Sequence, residues 1–139
     1  MTFQAALFTE LSVFSSALTA LVGSRIYPVV VAQPELNEPF LPTLMYRLDT
    51  RGDEITNDLP VNIKQTTWSF LCMAASYDLA HEVYEALEEK LNGFSGPIGG
   101  QASGISVCSS RVGTAFDEFE ETEGIYMVDC EYAIAWKKT

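Results

Sequence analysis

Thr66-Thr67-Trp68-Ser69-Phe70-Leu71-Cys72-Met73-Ala74-Ala75-Ser76-Tyr77-Asp78-Leu79-Ala80-His81-Glu82-Val83 contains the change of hydrophobic period that decides the fold. Up to Ala74 the pattern repeats every second residue: Trp68, Phe70, Cys72 and Ala74 fall on one face of a strand that begins near Val61. Gln65, Thr67 and Ser69 occupy the other face until Leu71 and Met73, so one side is core and the other partly wet. After Ser76 the period becomes helical. Ser76 is placed to cap, Asp78 suits the positive first turn, and Ala80, Val83, Ala86 or Leu87, and Leu91 form a buried stripe. Asn92 and Gly93 stop this helix.

Working outward, residues 2–22 read as one amphipathic helix with Phe3, Leu7, Leu11, Phe14, Leu18 and Leu21 in its stripe, ending at Gly23. Its other face carries Thr9, Ser12, Ser15, Ser16 and Thr19, which suits solvent or a neighbour. Arg25–Val31 reads as a short strand that Pro28 confines to an edge. Residues 32–42, with three prolines, read as an irregular connection. Thr43–Asp49 reads as a strand and 51–60 as a polar loop; the Arg51-Gly52-Asp53 tripeptide is too short to carry an adhesive reading. Five glycines between Gly93 and Gly104 predict a mobile loop without the lysine of a phosphate cradle. Ile105–Ala115 reads as a weakly alternating strand and 117–123 as an acidic turn. Ile125–Trp136 alternates clearly, with Tyr126, Val128, Cys130, Tyr132, Ile134 and Trp136 on one face, as a central antiparallel strand does. The fold class expected is α+β, one domain over residues 1–139. It has a single, mainly antiparallel sheet of about five strands, two helices on one face, and the order α-β-β-β-α-β-β. Its core gathers Trp68, Phe70, Val83, Leu87, Val128, Tyr132 and Ile134.

The 139 residues suffice for one core without staples. Nineteen acids against eight bases set the net charge at −11, a balance that repels phosphate backbones and anionic membranes. A solvated acidic surface explains this charge by itself; a negative surface turned toward a partner is the second reading. The three cysteines, Cys72, Cys108 and Cys130, form no close pair, and His81 is the only histidine. Buried reduced thiols are expected, with no zinc, no disulfide and no cofactor. The first residues lack a basic region and no apolar run reaches the ~20 residues of a membrane helix, so a cytoplasmic site of synthesis is expected.

Chemistry is hard to find. His81 reads as half-buried on its helix rather than as a base, no serine nucleophile motif exists, and the cysteines fall on faces that look buried. Asp117, Glu118, Glu120, Glu121 and Glu123 read as a solvated turn, or as part of a shaped negative surface. No enzyme is expected.

Leu21-Val22-Gly23-Ser24-Arg25-Ile26-Tyr27-Pro28 closes the first helix and leads out of it. Pro42-Thr43-Leu44-Met45-Tyr46 and Thr66-Thr67-Trp68-Ser69-Phe70 are the strands that succeed it. Tyr77–Leu87 is the second helix and Tyr126–Trp136 the closing strand. In these pieces and their order the chain resembles the tail completion proteins of long-tailed phages, a family that includes tail terminators and tail-to-head joining proteins. The resemblance implies a structural virion protein assembled in the host cytoplasm. It would form a ring of copies of itself, typically a hexamer, at the head–tail junction. It would meet the tail tube protein and the head completion or connector protein, let DNA pass without specific binding, and involve no membrane and no catalytic residue. Charge density makes Asp53, Glu54, Asp58, Asp117, Glu118, Glu120, Glu121 and Glu123 the candidate lumen- or partner-facing acids. A small binding module that dimerises through its sheet is the alternative.

Overall fold

A computed structural model describes residues 2–28, 41–55 and 60–138, without the side chains of 52–55 and 60–62. Helices α1 (Phe3–Val13) and α2 (Ser16–Val22) precede strands β1 (Ile26–Pro28), β2 (Thr43–Ile55) and β3 (Pro60–Ala74). Helix α3 (Tyr77–Leu91), β4 (Gly96–Pro97), a 3-10 turn (Gln101–Ser103), β5 (Ile105–Glu120) and β6 (Ile125–Lys138) follow. One sheet runs in the order β1-β2-β3-β6-β5-β4; only β1 with β2 is parallel. The α+β class and the mainly antiparallel sheet are as expected. The described sheet has six strands rather than about five, because two residues of the glycine-rich segment join it.

All seven residues expected in the core belong to one buried cluster. Ser76 caps α3 by accepting from the Leu79 N–H at 3.2 Å. The buried Trp68 indole N–H donates to Thr66 Oγ1 at 2.9 Å, and that hydroxyl donates to the Ile134 carbonyl at 2.6 Å. The relay ties β3 to β6 and removes the cost of an orphaned indole donor.

The structure corrects several expectations. The first helix is two, α1 and α2, bent by 80°. The Ser15–Ser16 pair has weak helix preference, and the bend lets Leu18 and Val22 reach the same core as Phe3, Leu7 and Leu11. Phe14, at the corner, is 51% exposed instead of buried. Among the described residues no single helix is long and apolar enough to cross a membrane.

The expected loop at 51–60 is largely strand: β2 runs on to Ile55 opposite Pro60, pairing Gly52 with Gln65 and Asp53 with Lys64. Likewise Asp117–Glu120 extends β5, and the turn narrows to residues 121–124. Charged residues in both stretches masked strands whose backbones are held by neighbours already in the sheet.

The glycine-rich segment is anchored at several points. Ile98 is buried, the Gly99 N–H donates to Glu10 Oε1 at 2.9 Å, and Ser103 Oγ donates to the Ile98 carbonyl at 2.6 Å. Gly99 has φ +71°, and a Cβ there would stand 2.8 Å from the Ala6 backbone. Gly99→Ala should therefore destabilise by roughly 1–3 kcal/mol, read by thermal melting, whereas the same change at Gly113, where φ is not left-handed and a Cβ would meet the Glu131 carbonyl oxygen at an ordinary 3.6 Å, should cost under about 1 kcal/mol.

Cys108 is exposed, against the expectation that all three thiols are buried. A register slip between Val107 and Ser109 interrupts the alternation there. Cys72 and Cys130 are buried on the core face, and the Cys130 thiol together with burial pushes the Cys72 thiol well up. One thiol per chain should thus react with a thiol reagent in the folded protein and two more only after unfolding. Fast reaction of all three would overturn this assignment.

Candidate functional site

The helices cover one face of the sheet and leave the other to its alternate residues. On this helix-free face β2 contributes Met45, Arg47 and Asp49, β3 contributes Thr67, Ser69 and Leu71, and β6 contributes Met127, Asp129 and Glu131. Phe116 pairs with Asp129 and Glu118 with Met127, which brings β5 onto the same face. Four carboxylates therefore share it: Asp49, Glu118, Asp129 and Glu131. Arg47 Nε donates to Asp49 Oδ1 at 3.2 Å, and the Ser69 hydroxyl donates to Asp49 Oδ2. Burial raises the Asp129 carboxyl above its usual range; Glu118, Asp49 and Glu131 add to the rise and Arg47 opposes it.

An acid with a raised folded pKa favours the fold in its neutral form. Its contribution is present below the unfolded pKa and is lost as pH climbs through the folded one. Asp129→Asn should accordingly raise the melting temperature at pH 7, and the gain should fade near about pH 3, where the carboxyl is protonated in both states. A gain that is equal at both pH values would show that charge is not its cause.

The expected acid positions separate. The backbone of Asp53 and Glu54 belongs to β2, and their side chains, with all of Asp58, lie outside the described residues. Asp53 is on the row of Lys64 and Trp136, whereas Glu118 is on the row of Met127, Met73 and Thr43. Lys64 and Met73 are nine residues apart on one strand, about 30 Å. The two acid groups thus occupy opposite ends of the sheet and build no common site.

At the acidic end, Asp117 turns to the helix side. The Tyr77 hydroxyl donates to its Oδ2 at 2.9 Å, and His81 Nε2 lies 2.8 Å from its Oδ1. The Tyr77 and His81 rings are 4.5 Å apart, and Tyr77 meets Tyr126, which meets Phe119. His81 is half-buried, as expected, and this cluster clamps the start of α3 to the far half of β5. The Asp117 hydrogen bond holds the Tyr77 phenol above its usual range. Glu120 accepts from the N–H groups of Glu123 at 2.7 Å and Thr122 at 3.0 Å, which lowers its pKa and fastens the turn; Glu121 and Glu123 are exposed. Asp49, Asp129 and Glu131 were not among the residues picked by charge density. Strand alternation was the signal for Asp129 and Glu131, since it already set them opposite the apolar face of β6.

Among the described residues no group of three or more His, Cys, Asp or Glu is placed to hold a metal. The hollow in the helix-free face, about 110 Å³, is lined by Met45, Arg47, Ser69, Leu71 and Asp129 among others, and the Ser69 hydroxyl there is held by the Asp49 carboxylate.

No family model matches the chain, and no curated protein matches it. Among solved structures it is similar to a chain of the one described as "Virion of native gene transfer agent (GTA) particle". The identity is 16% and the TM-score 0.64, over 96% of this chain and 93% of that one. The two share a fold along nearly their whole length.

Proposed function

We propose that this chain is a structural virion protein that forms a ring, of about six copies, at the head–tail junction of a phage or phage-like particle. It terminates or completes the tail, meets the tail tube protein on one side and the head completion or connector protein on the other, and has no catalytic role. The observation that carries this reading is the full-length fold likeness to a chain of a virion particle. The arrangement of charge accords with it. A ring of six such chains carries on the order of −66 formal charges. The helix-free face, with Asp49, Glu118, Asp129 and Glu131, suits a lumen wall that DNA slides past without adhering. The turn at 121–124, with Glu120 beneath it, suits contact with a partner ring.

Electron microscopy of the purified protein, alone and with tube protein, tests the ring directly. Closed rings, or density for the chain at the neck of its particle, are expected; a lone dimer would favour a module that pairs through its sheet. Reversing Asp129 and Glu131 to Lys should leave particles assembled and slow DNA ejection, because a basic lumen would hold phosphates. Reversing Glu120, Glu121 and Glu123 should instead impair joining of heads to tails if that turn meets a partner ring. Normal ejection and normal joining in both variants would remove both faces from the proposal.

A further inference from the structure

Strand β5 has an open edge. On its outer side β4 pairs only with Val107 and Ser106. The Gly93 N–H donates to the Ser110 carbonyl at 2.7 Å, and the Val112 N–H donates to Asn92 Oδ1 at 3.1 Å. From Gly113 to Glu120 no strand among the described residues lies beyond β5, and the stretch ends in well-ordered pairing with β6 on its inner side alone. Phe116 is 52% and Phe119 50% exposed along it. A long apolar-bearing edge is a template for strand addition.

Among the described residues the opposite edge of the sheet is β1. Register carries one row from Tyr27 through Met45, Leu71 and Asp129 to Phe116, and the next from Ile26 through Leu44, Cys72 and Val128 to Asp117. One step further, Glu118 shares its row with Met127, Met73 and Thr43, and the residue before Ile26 on that level is Arg25, whose carbonyl accepts from Leu44 N–H at 3.0 Å. The two edges therefore stand at the same height on the sheet, and β1 runs antiparallel to β5.

We infer that the β5 edge at Ala115–Glu118 pairs antiparallel with the Arg25–Pro28 edge of a second copy of this chain, with Phe116 beside Tyr27 and Glu118 beside Arg25. The inference rests on the ring reading and names its contact. Two different edges meeting give the heterologous interface a closed ring requires. The cross-strand neighbours are an aromatic pair and an opposite-charge pair on the helix-free face, both favourable. The competing arrangement, β5 against β5, would bring Asp117, Glu118 and Glu120 of both copies onto one seam, with no basic residue between Gly113 and Glu120 to offset them. At the level of this joint each copy contributes five strands, β1-β2-β3-β6-β5, about 4.8 Å apart and roughly 24 Å wide, so about six copies joined edge to edge would close a belt on the order of 45 Å across.

Cysteine cross-linking in a Cys108→Ser background tests it, with melting curves to verify folding. Mild oxidation of Tyr27→Cys/Phe116→Cys chains, in solution and in assembled particles, should give a ladder of covalent oligomers at least tenfold stronger than either single substitution. Glu118→Arg should weaken assembly, and Glu118→Arg with Arg25→Glu should restore it. A covalent dimer from Phe116→Cys alone would show β5 meeting β5 and overturn the inference. Rings in micrographs without the Tyr27–Phe116 cross-link would overturn this contact and leave the ring reading standing. A cross-linked ladder without rings would do the reverse.

Discussion

Lys90→Met should lower stability by about 3–5 kcal/mol, the cost of leaving a buried carboxylate without its cation. Glu10 is only 4% exposed, on the covered side of α1, with Lys90 Nζ 2.6 Å from its Oε2. Lys90 reaches it from the last turn of α3, donates to the Phe14 carbonyl at 3.1 Å, and has the Phe94 ring 5.5 Å away. The other carboxylate oxygen takes the Gly99 N–H. One ion pair thus joins α1, the end of α3 and the glycine-rich segment. At about 2–4 °C per kcal/mol for a chain of this size, the melting temperature should fall by roughly 10 °C. Adding Glu10→Gln should recover much of the loss, since the neutral amide still accepts from Gly99 and no bare charge remains. A loss below about 1 kcal/mol in the single variant would show that water or another group already satisfies Glu10.

Phe70→Ala should cost a similar 3–5 kcal/mol for a different reason. Its ring is 0% exposed at the centre of β3, edge-on to Tyr132 at 5.5 Å and tilted against Tyr46 at 6.1 Å. Truncation opens a cavity bounded by a pleated sheet on one side and α3 on the other, neither free to collapse into it. Phe116→Ala, at a half-exposed ring on the helix-free face, should change stability by less than about 1 kcal/mol and serves as the control. Equal, small losses in both variants would sink the packing scheme.

Much of this was decided by sequence alone. Alternation in 66–74 and 126–136 needs no partner to be read, because one face of each strand must leave water; it placed Trp68, Phe70, Val128 and Tyr132 in the core. Ser76, Asp78 and the stripe through Leu91 defined α3 because capping and helical period are local properties. Pro28, which cannot donate to a ladder, assigned its strand to an edge, and among the described residues β1 is the outermost strand on that side.

Tertiary structure decided what depends on neighbours distant in the chain. The acidic stretch 117–120 became strand because β6 offers hydrogen bonds along its whole length, and the 51–55 stretch did so against β3. The 80° bend between α1 and α2 arose because one curved core had to receive both apolar stripes. Cys108 was turned outward by a slip of register that no local pattern announces. The pairing of Glu10 with Lys90 across 80 positions was hidden for the same reason. Strand order, above all, put Asp49, Glu118, Asp129 and Glu131 on one face and left β5 open at its edge: charge density is additive along a chain, whereas a surface is made by whichever strands the sheet sets side by side.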